Sequence, residues 1–295
     1  MRIVVAGGAG FLGSALTEEL TRNGWTVTVL TRRPAQRHHV RWDPYGSITG
    51  WAHALEDADA VVNLTGASIN KRWTAAHKRD MWNSRVTATH ALVAAAKSVR
   101  RTPPVFISGS AVGIYGPHGD EPVTEETAVG SGFLADLGSQ WEKEALGAGP
   151  QARVVLVRTG IVLDRYGGAL PQMALPFWFF AGGPLGSGRQ YISWIHKDDW
   201  TAMVRWALAN SAIAGPMNAT APGPVTNLEF VRTLGRALGR PALVPAPAFA
   251  IRLALGEMAD VVLTGQRVFP DKARALGFDF RYPTLEAALH AVYAR

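Results

Sequence analysis

The chain has 295 residues, 47% hydrophobic and 18% charged, so it can bury a sizeable core as one large domain or two modest ones, and a disordered chain is excluded. It contains no cysteine, which removes disulfides, thiolate nucleophiles and cysteine metal sites, and is compatible with a reducing, cytoplasmic compartment. The formal net charge is +7, yet the Lys and Arg residues are scattered and no basic run alternates with aromatics, so the balance reads as a basic surface and not as a nucleic-acid footprint.

Residues 2–6 form a short apolar β run that Gly7, Gly8 and Gly10 interrupt, so a strand explains the start better than a signal peptide. Residues 11–23 read as a helix with Leu12, Leu16 and Leu20 on one face, stopped by Gly24. Residues 25–30 alternate and are β-branched, which predicts the second strand. His38-His39 lacks further spaced ligands and is read as a flexible loop, not a metal site. Residues 59–64 predict another buried strand, residues 74–99 a long helix with Val86, Leu92, Val93 and Ala96 on its apolar face, and residues 104–108 and 152–158 two more strands. Such alternation implies a parallel sheet with right-handed crossovers. Beyond about residue 165, Gly and Pro become frequent; a strand at 191–195, a helix at 197–209 and a late strand at 217–220 precede mostly helical segments at 227–238, 249–255, 270–276 and 284–293. The most apolar stretch, 169–185, is broken by Pro171, Gln172, Pro176 and Pro184 and is too short for the ~20 residues of a membrane-spanning helix, so no membrane partner is expected.

The segment Ala6-Gly7-Gly8-Ala9-Gly10-Phe11-Leu12-Gly13 fits both G-x-G-x-x-G and G-x-x-G-x-x-G. It follows a predicted strand and opens a predicted helix, the context that makes this motif specific for a dinucleotide. Missing side chains at Gly7, Gly10 and Gly13 let the backbone approach a pyrophosphate, and the helix start at Phe11 and Leu12 supplies free N–H groups and a positive dipole end. The second strand ends Val29-Leu30-Thr31-Arg32-Arg33, with no carboxylate for a ribose 2′-hydroxyl and two guanidinium groups suited to a 2′-phosphate. The expected cofactor is therefore NADP(H), with Thr31, Arg32 and Arg33 at its adenosine end. A doubly wound Rossmann α/β fold is expected. The NADP-binding domain spans 1–168, together with 195–220, and 169–194 plus 221–295 form a smaller, mostly helical substrate region.

With these residues in view, the chain resembles the short-chain dehydrogenase/reductase superfamily in its extended, epimerase-like branch. The resemblance rests on Gly7-x-x-Gly10-x-x-Gly13, Asn63-Leu64-Thr65-Gly66-Ala67, Ile107-Ser108-Gly109-Ser110 with Tyr115-Gly116, Arg158-Thr159-Gly160-Ile161-Val162-Leu163, and Trp194-Ile195-His196-Lys197-Asp198-Asp199. Gly186-Ser187-Gly188-Arg189-Gln190, Gly256-Glu257-Met258, Gly265-Gln266-Arg267-Val268 and Tyr282-Pro283-Thr284 are similar to an atypical subgroup of undefined activity with a C-terminal helical unit. The resemblance implies cofactor contacts at Leu64, Thr65, Gly66, Ser108, Gly160 and Val162. It also places Arg85 where the superfamily has Asn, suited to a cofactor phosphate or a substrate carboxylate, or else paired with Asp80 or Glu142. Asp80 is a candidate acceptor for a cofactor hydroxyl. A homodimer is compatible with the resemblance.

The superfamily's reaction uses a Tyr with a Lys four residues on, so that the ammonium lowers the phenol's pKa from the same helix face. None of the six tyrosines here is followed by Lys at that spacing. Aligning Glu142 with the helix's usual acid puts Leu134 and Gly138 at the Tyr and Lys positions, and neither moves a proton. Ser110 matches the substrate-polarising serine, with a turn or helix cap as its alternative. A proton would then come from water, Tyr191 or His196, and Arg189 is a candidate substrate contact on a glycine-rich loop. Phe177-Trp178-Phe179-Phe180 is suited either to roof a nicotinamide pocket or to form a dimer contact. No G-x-S-x-G, G-K-[ST] or H-E-x-x-H motif supports a hydrolase, an NTPase or a zinc protease. Two readings remain. One is an NADP-dependent oxidoreductase or epimerase-like enzyme acting on a small-molecule substrate; the other is an NADP(H)-sensing or regulatory protein without turnover.

Overall fold

In the computed structural model, which describes residues 1–294, strand β1 (Arg2–Ala6) passes through the glycine turn into α1 (Phe11–Arg22) and returns as β2 (Thr26–Thr31) and β3 (His39–Arg41). Then come β4 (Ala60–Asn63), α2 (Ala75–Trp82) and α3 (Ala88–Ser98), the two helices joined by a π-helical turn at Asn83–Thr87. Strand β5 (Val105–Ala111), a 3-10 turn at Val112–Tyr115, β6 (Pro122–Val123), α4 (Phe133–Leu146), β7 (Arg153–Thr159), β8 (Ile161–Leu163) and α5 (Leu170–Trp178) follow. The chain continues with β9 (Tyr191–Ile192), β10 (Trp194–His196), α6 (Lys197–Ala209), β11 (Gly215–Ala219), β12 (Val225–Thr226) and α7 (Asn227–Leu238). It closes with α8 (Ala248–Leu255), α9 (Ala259–Leu263), β13 (Arg267–Val268), α10 (Asp271–Ala275) and α11 (Leu285–Tyr293).

The central sheet has seven strands in the order β11-β7-β5-β4-β1-β2-β3, and every pairing is parallel. This is the expected doubly wound Rossmann sheet. Its central strands read as unbroken apolar runs because helices cover both faces. Leu16 and Leu20 of α1 and Trp200, Met203 and Val204 of α6 pack with Val5, Val62 and Ile107 on one face. Leu92 and Ala95 of α3, with Trp51 and Leu55, pack with Val4, Val61 and Phe106 on the other. Strand order reverses between β1 and β4, which leaves a crevice beyond their carboxyl ends, the place where such sheets bind ligands. Register sets Ala6 beside Asn63 and Asn63 beside Ser108 at the lip of that crevice.

Three sequence expectations need correction. The strand at 191–195 is two strands with different partners, β9 on β12 and β10 on β8, because Ser193 turns away between them. The Ser193 hydroxyl donates to the Gln266 carbonyl at 2.7 Å and accepts from the Val268 N–H at 3.0 Å. The long helix is not regular throughout, since its middle turn is π-helical. His38 and His39 do not form a flexible loop: the His38 carbonyl accepts from Val29 N–H, His39 pairs with Val29 in β3, and the two imidazoles meet edge to face. No helix among the described residues is long and apolar enough to cross a membrane.

Candidate functional site

At the carboxyl end of β1, Gly7 has φ +79°, and a Cβ on it would lie 2.7 Å from the Leu64 carbonyl oxygen. A Cβ on Gly13 would lie 2.2 Å from the Gly7 carbonyl oxygen, so α1 rises directly out of the turn only because both positions are bare. Around Gly10 the space is open except for the Gly7 carbonyl oxygen, 3.3 Å from where a Cβ would stand. No side chain caps α1 and no acid stands in its first turn, which leaves the N–H groups and positive dipole end facing the crevice at Phe11 and Leu12. The Phe11 ring lies against Gly167 and Gly168, where added Cβ atoms would meet it at 2.2 and 2.9 Å. At the far side of the corner, buried Thr31 accepts the Arg33 N–H at 3.3 Å, and Arg32 and Arg33 are exposed.

On the other side of β1, the Asn63 side-chain oxygen accepts from the Thr65 hydroxyl at 2.7 Å and the Thr65 N–H at 3.2 Å, which turns Leu64-Thr65-Gly66 along the lip of the crevice. Two contacts tie the π turn to this loop. Ser84 Oγ accepts from Ala67 N–H at 2.8 Å, and the Asn63 amide donates to Thr89 Oγ1 at 2.7 Å, which itself donates to the Arg85 carbonyl at 2.6 Å. Between these ties Arg85 points at Gly66, where a Cβ would come within 2.9 Å of the guanidinium. The guanidinium stands over the Trp141 ring at 5.3 Å and donates to the Met81 carbonyl at 3.3 Å. Burial draws its pKa down to about 10. The ion pair offered as its alternative is not formed: Asp80 is exposed on α2, and both Glu142 oxygens are held by other donors.

The expected proton-handling residues are mostly engaged elsewhere. Ser110 is buried and donates its hydroxyl to Glu142 at 2.6 Å. Glu142 also accepts two 2.8 Å bonds from Arg158, whose third nitrogen reaches the Tyr115 hydroxyl at 2.9 Å; that hydroxyl donates to Asn218 at 2.7 Å. His196 is buried, its Nδ1 accepts from Asp198 N–H as the cap of α6, and its ring stacks on Tyr282 at 4.0 Å. Burial holds that imidazole below its ordinary pKa, against the pull of Asp198. In this structure both side chains, Ser110 and His196, are held by partners within the chain. Tyr191 is half-buried with the Arg267 guanidinium over its ring, and Arg189 is exposed. Ser108 is fully buried, with its hydroxyl on the Gly109 carbonyl at 3.1 Å, so it lines the crevice floor without an accessible group. Gly160 lies at the β7–β8 junction, where a Cβ would sit 2.6 Å from the Ser193 carbonyl oxygen, and Val162 is buried next to it. Of the aromatic run, Phe177 is buried while Trp178, Phe179 and Phe180 are exposed, and Arg240 stands over Trp178 and Phe180.

Residues 3–133 match the model of the NAD dependent epimerase/dehydratase family, and residues 246–292 match a domain of unknown function, DUF1731. Epimerase family protein YfhF of Bacillus subtilis is 40% identical over 305 residues, covering 100% of this chain and 98% of its own. The chloroplastic epimerase family protein SDR39U1 homolog of Arabidopsis thaliana is 38% identical over 300 residues, covering 99% and 86%. The chain belongs to the epimerase family, in its atypical short-chain dehydrogenase/reductase branch. The human epimerase family protein SDR39U1, solved with NADPH, superposes with a TM-score of 0.92 at 35% identity over 99% of each chain.

Reading an epimerase-family chain from its sequence missed two parts of the site. The sequence does not single out Trp141, because nothing local shows that its face lies under a guanidinium 56 positions earlier in the chain (141 − 85). Gly167-Gly168 stands out in the sequence only as part of the rise in Gly and Pro, although paired small residues after a buried strand also suit a ring packed flat on backbone.

Proposed function

We propose that this chain binds NADP(H) across the β1–β4 crevice and works as an oxidoreductase or epimerase-like enzyme on a small-molecule substrate, without the Tyr-x-x-x-Lys pair. One observation carries the reading: an uncapped helix N-terminus at a corner bare of side chains, with Arg32 and Arg33 exposed at the end of β2. Backbone N–H groups of the first turn of α1 suit a pyrophosphate, and a guanidinium fork suits a 2′-phosphate. The bound nicotinamide supplies hydride chemistry. What the chain supplies is position and exclusion of water, with Phe11 closing one wall against Gly167-Gly168 and the Leu64–Gly66 loop forming the other. With Leu134 and Gly138 at the superfamily's Tyr and Lys positions, the proton comes from water or Tyr191. The NADPH held by the human relative supports the choice of cofactor.

A second reading, an NADP(H)-sensing protein without turnover, is favoured by the Ser110 hydroxyl being committed to Glu142. Calorimetry with NADPH and NADH at fixed salt, then nicotinamide absorbance with a panel of carbonyl compounds and nucleotide sugars, separates the readings. Tighter NADPH binding is expected, by about ten- to a hundredfold from charge-assisted contacts, and is lost in the Arg32→Ala, Arg33→Ala double variant. Turnover of any panel member supports the enzyme; tight binding with no turnover supports the sensor. Equal or tighter NADH binding refutes the cofactor assignment.

A further inference from the structure

Arg267 of β13 is a cation without a partner. Among the described residues its side chain forms no ion pair and no hydrogen bond, although a guanidinium offers five N–H donors. Its Nε is buried and lacks an acceptor, whereas its two terminal nitrogens are not buried, so the stem is enclosed and the fork edge is open. An arginine on an ordinary surface keeps its donors in water; here one is desolvated with nothing to offset the cost. Yet the side chain is not loose. The guanidinium lies over the Tyr191 ring and over the Phe269 ring, 5.3 Å from each centroid, and two aromatic faces set its plane. The backbone is held as firmly. Ser193 bonds the Gln266 carbonyl and the Val268 N–H on either side of Arg267, which itself pairs with Pro122 of β6. A Cβ on Gly265 would lie 2.1 Å from the Tyr191 carbonyl oxygen, so this segment is pressed against β9. The sequence supplies no acid at 261–270 or at 165–197, and the Asp260 carboxylate is taken by Arg252.

The place of this fork in the fold points to its ligand. The Gly265 carbonyl accepts from His118 N–H at 3.2 Å, on the loop that follows β5 and its 3-10 turn. Ser193, which brackets Arg267, has its carbonyl oxygen 2.6 Å from where a Cβ on Gly160 would stand, at the carboxyl end of β7. Arg267 is thus fixed between the carboxyl-end loops of β5 and β7, on the β4 side of the reversal in strand order. A dinucleotide with its adenosine end over β2 and its pyrophosphate on α1 directs its nicotinamide half to that side. We propose that Arg267 is the receptor for an oxyanion of the substrate, a carboxylate or phosphate held bidentately at the fork edge that Tyr191 and Phe269 orient. This assignment rests on the NADP(H) reading and narrows its substrate class to an anionic small molecule, anchored beside the Tyr191 ring.

The test is calorimetric titration of wild type, Arg267→Met and Arg267→Lys, with thermal melts to confirm folding. NADPH is titrated first. Oxalate and inorganic phosphate are then titrated into protein saturated with NADP⁺, whose own phosphates occupy the glycine corner and the Arg32–Arg33 end. Wild type is expected to bind at least one oxyanion saturably. Arg267→Met should weaken that binding about ten- to a hundredfold and Arg267→Lys less, while NADPH affinity changes by no more than about twofold. Preference for oxalate or for phosphate identifies the anion. Unchanged oxyanion binding in Arg267→Met, or no saturable binding by wild type, overturns the proposal. So does a parallel fall in NADPH affinity, which would assign Arg267 to the cofactor. If Arg267→Met does not fold, Arg267→Lys decides in its place: weaker oxyanion binding supports the assignment and unchanged binding overturns it. Should wild type ignore NADPH, the cofactor reading fails. The same oxyanion titrations of the unloaded Arg32→Ala, Arg33→Ala variant, with and without Arg267→Met, then still decide whether Arg267 holds an oxyanion.

Discussion

Glu142 accepts hydrogen bonds from the Ser110 hydroxyl and from two nitrogens of Arg158, and all three residues are buried. Burial opposes the charge on Arg158, but the Glu142 carboxylate outweighs it and holds that guanidinium above its ordinary pKa. A pair of this kind adds little net stability relative to an apolar pair, whereas removing one partner strands the other. Glu142→Leu should therefore cost about 3–5 kcal/mol, read as a lower urea midpoint with an unchanged slope. Glu142→Leu combined with Arg158→Met should regain much of that loss. Recovery will be incomplete because the Ser110 and Tyr115 hydroxyls stay without these partners. A single variant as stable as wild type would show that solvent reaches the pair.

At the scale of elements, what was legible depended on the range of the contacts. The β1–turn–α1 corner is written in eight consecutive residues, and each glycine answers to a steric demand a few positions away, so the motif located it. The parallel sheet followed from strand and helix alternation for the same reason. The π turn was not legible, because Asn83–Thr87 has an ordinary helical pattern and is bent by ties to Asn63 and Ala67 on another element. Nor was the fate of Ser110, whose partner lies 32 positions on. The packing of α4 also emerges only in three dimensions. Gly138 faces the 3-10 turn after β5, where a Cβ would lie 3.2 Å from Ile114 Cβ, and Leu134 would meet a Cβ on Gly113 at the same distance. A lysine there would have to push the branched Ile114 side chain aside. Gly138→Lys, alone or with Leu134→Tyr, should lose about 1–3 kcal/mol through overpacking despite the better helix propensity of Lys. Chemical denaturation checks this; a Gly138→Lys protein as stable as wild type would mean that α4 can move off the turn.

The whole molecule ties its C-terminal segment to the sheet at several separated points. Strand β13 pairs with β6, and the Asn218 amide of β11 donates to the Phe269 carbonyl at 2.9 Å. Asp199 in α6 accepts the Arg281 and Tyr282 N–H groups at 2.9 Å each, Glu125 accepts from Lys272 N–H at 3.3 Å, and Lys78 of α2 pairs with Glu257. Composition alone divided the chain near residue 168 because Gly and Pro rise there, but such a boundary marks a change in loop content and does not imply few contacts across it. Ala273 of α10 even belongs to the same core as Val5 and Ile107 of the sheet. The C-terminal region has a cluster of its own around Phe230, Leu234 and Leu289, yet it also completes buried surface of the sheet at these points. One cooperative unfolding transition is therefore expected, with far-ultraviolet circular dichroism and tryptophan fluorescence changing together in urea. A chain ending at residue 245 should fail to give that transition, because it removes the Phe269 and Lys272 partners of Asn218 and Glu125 and exposes the apolar surface that α10 covers. Two separated transitions in the full chain, or a cooperative shortened one, would show that the dinucleotide domain folds independently and that the C-terminal ties form afterwards.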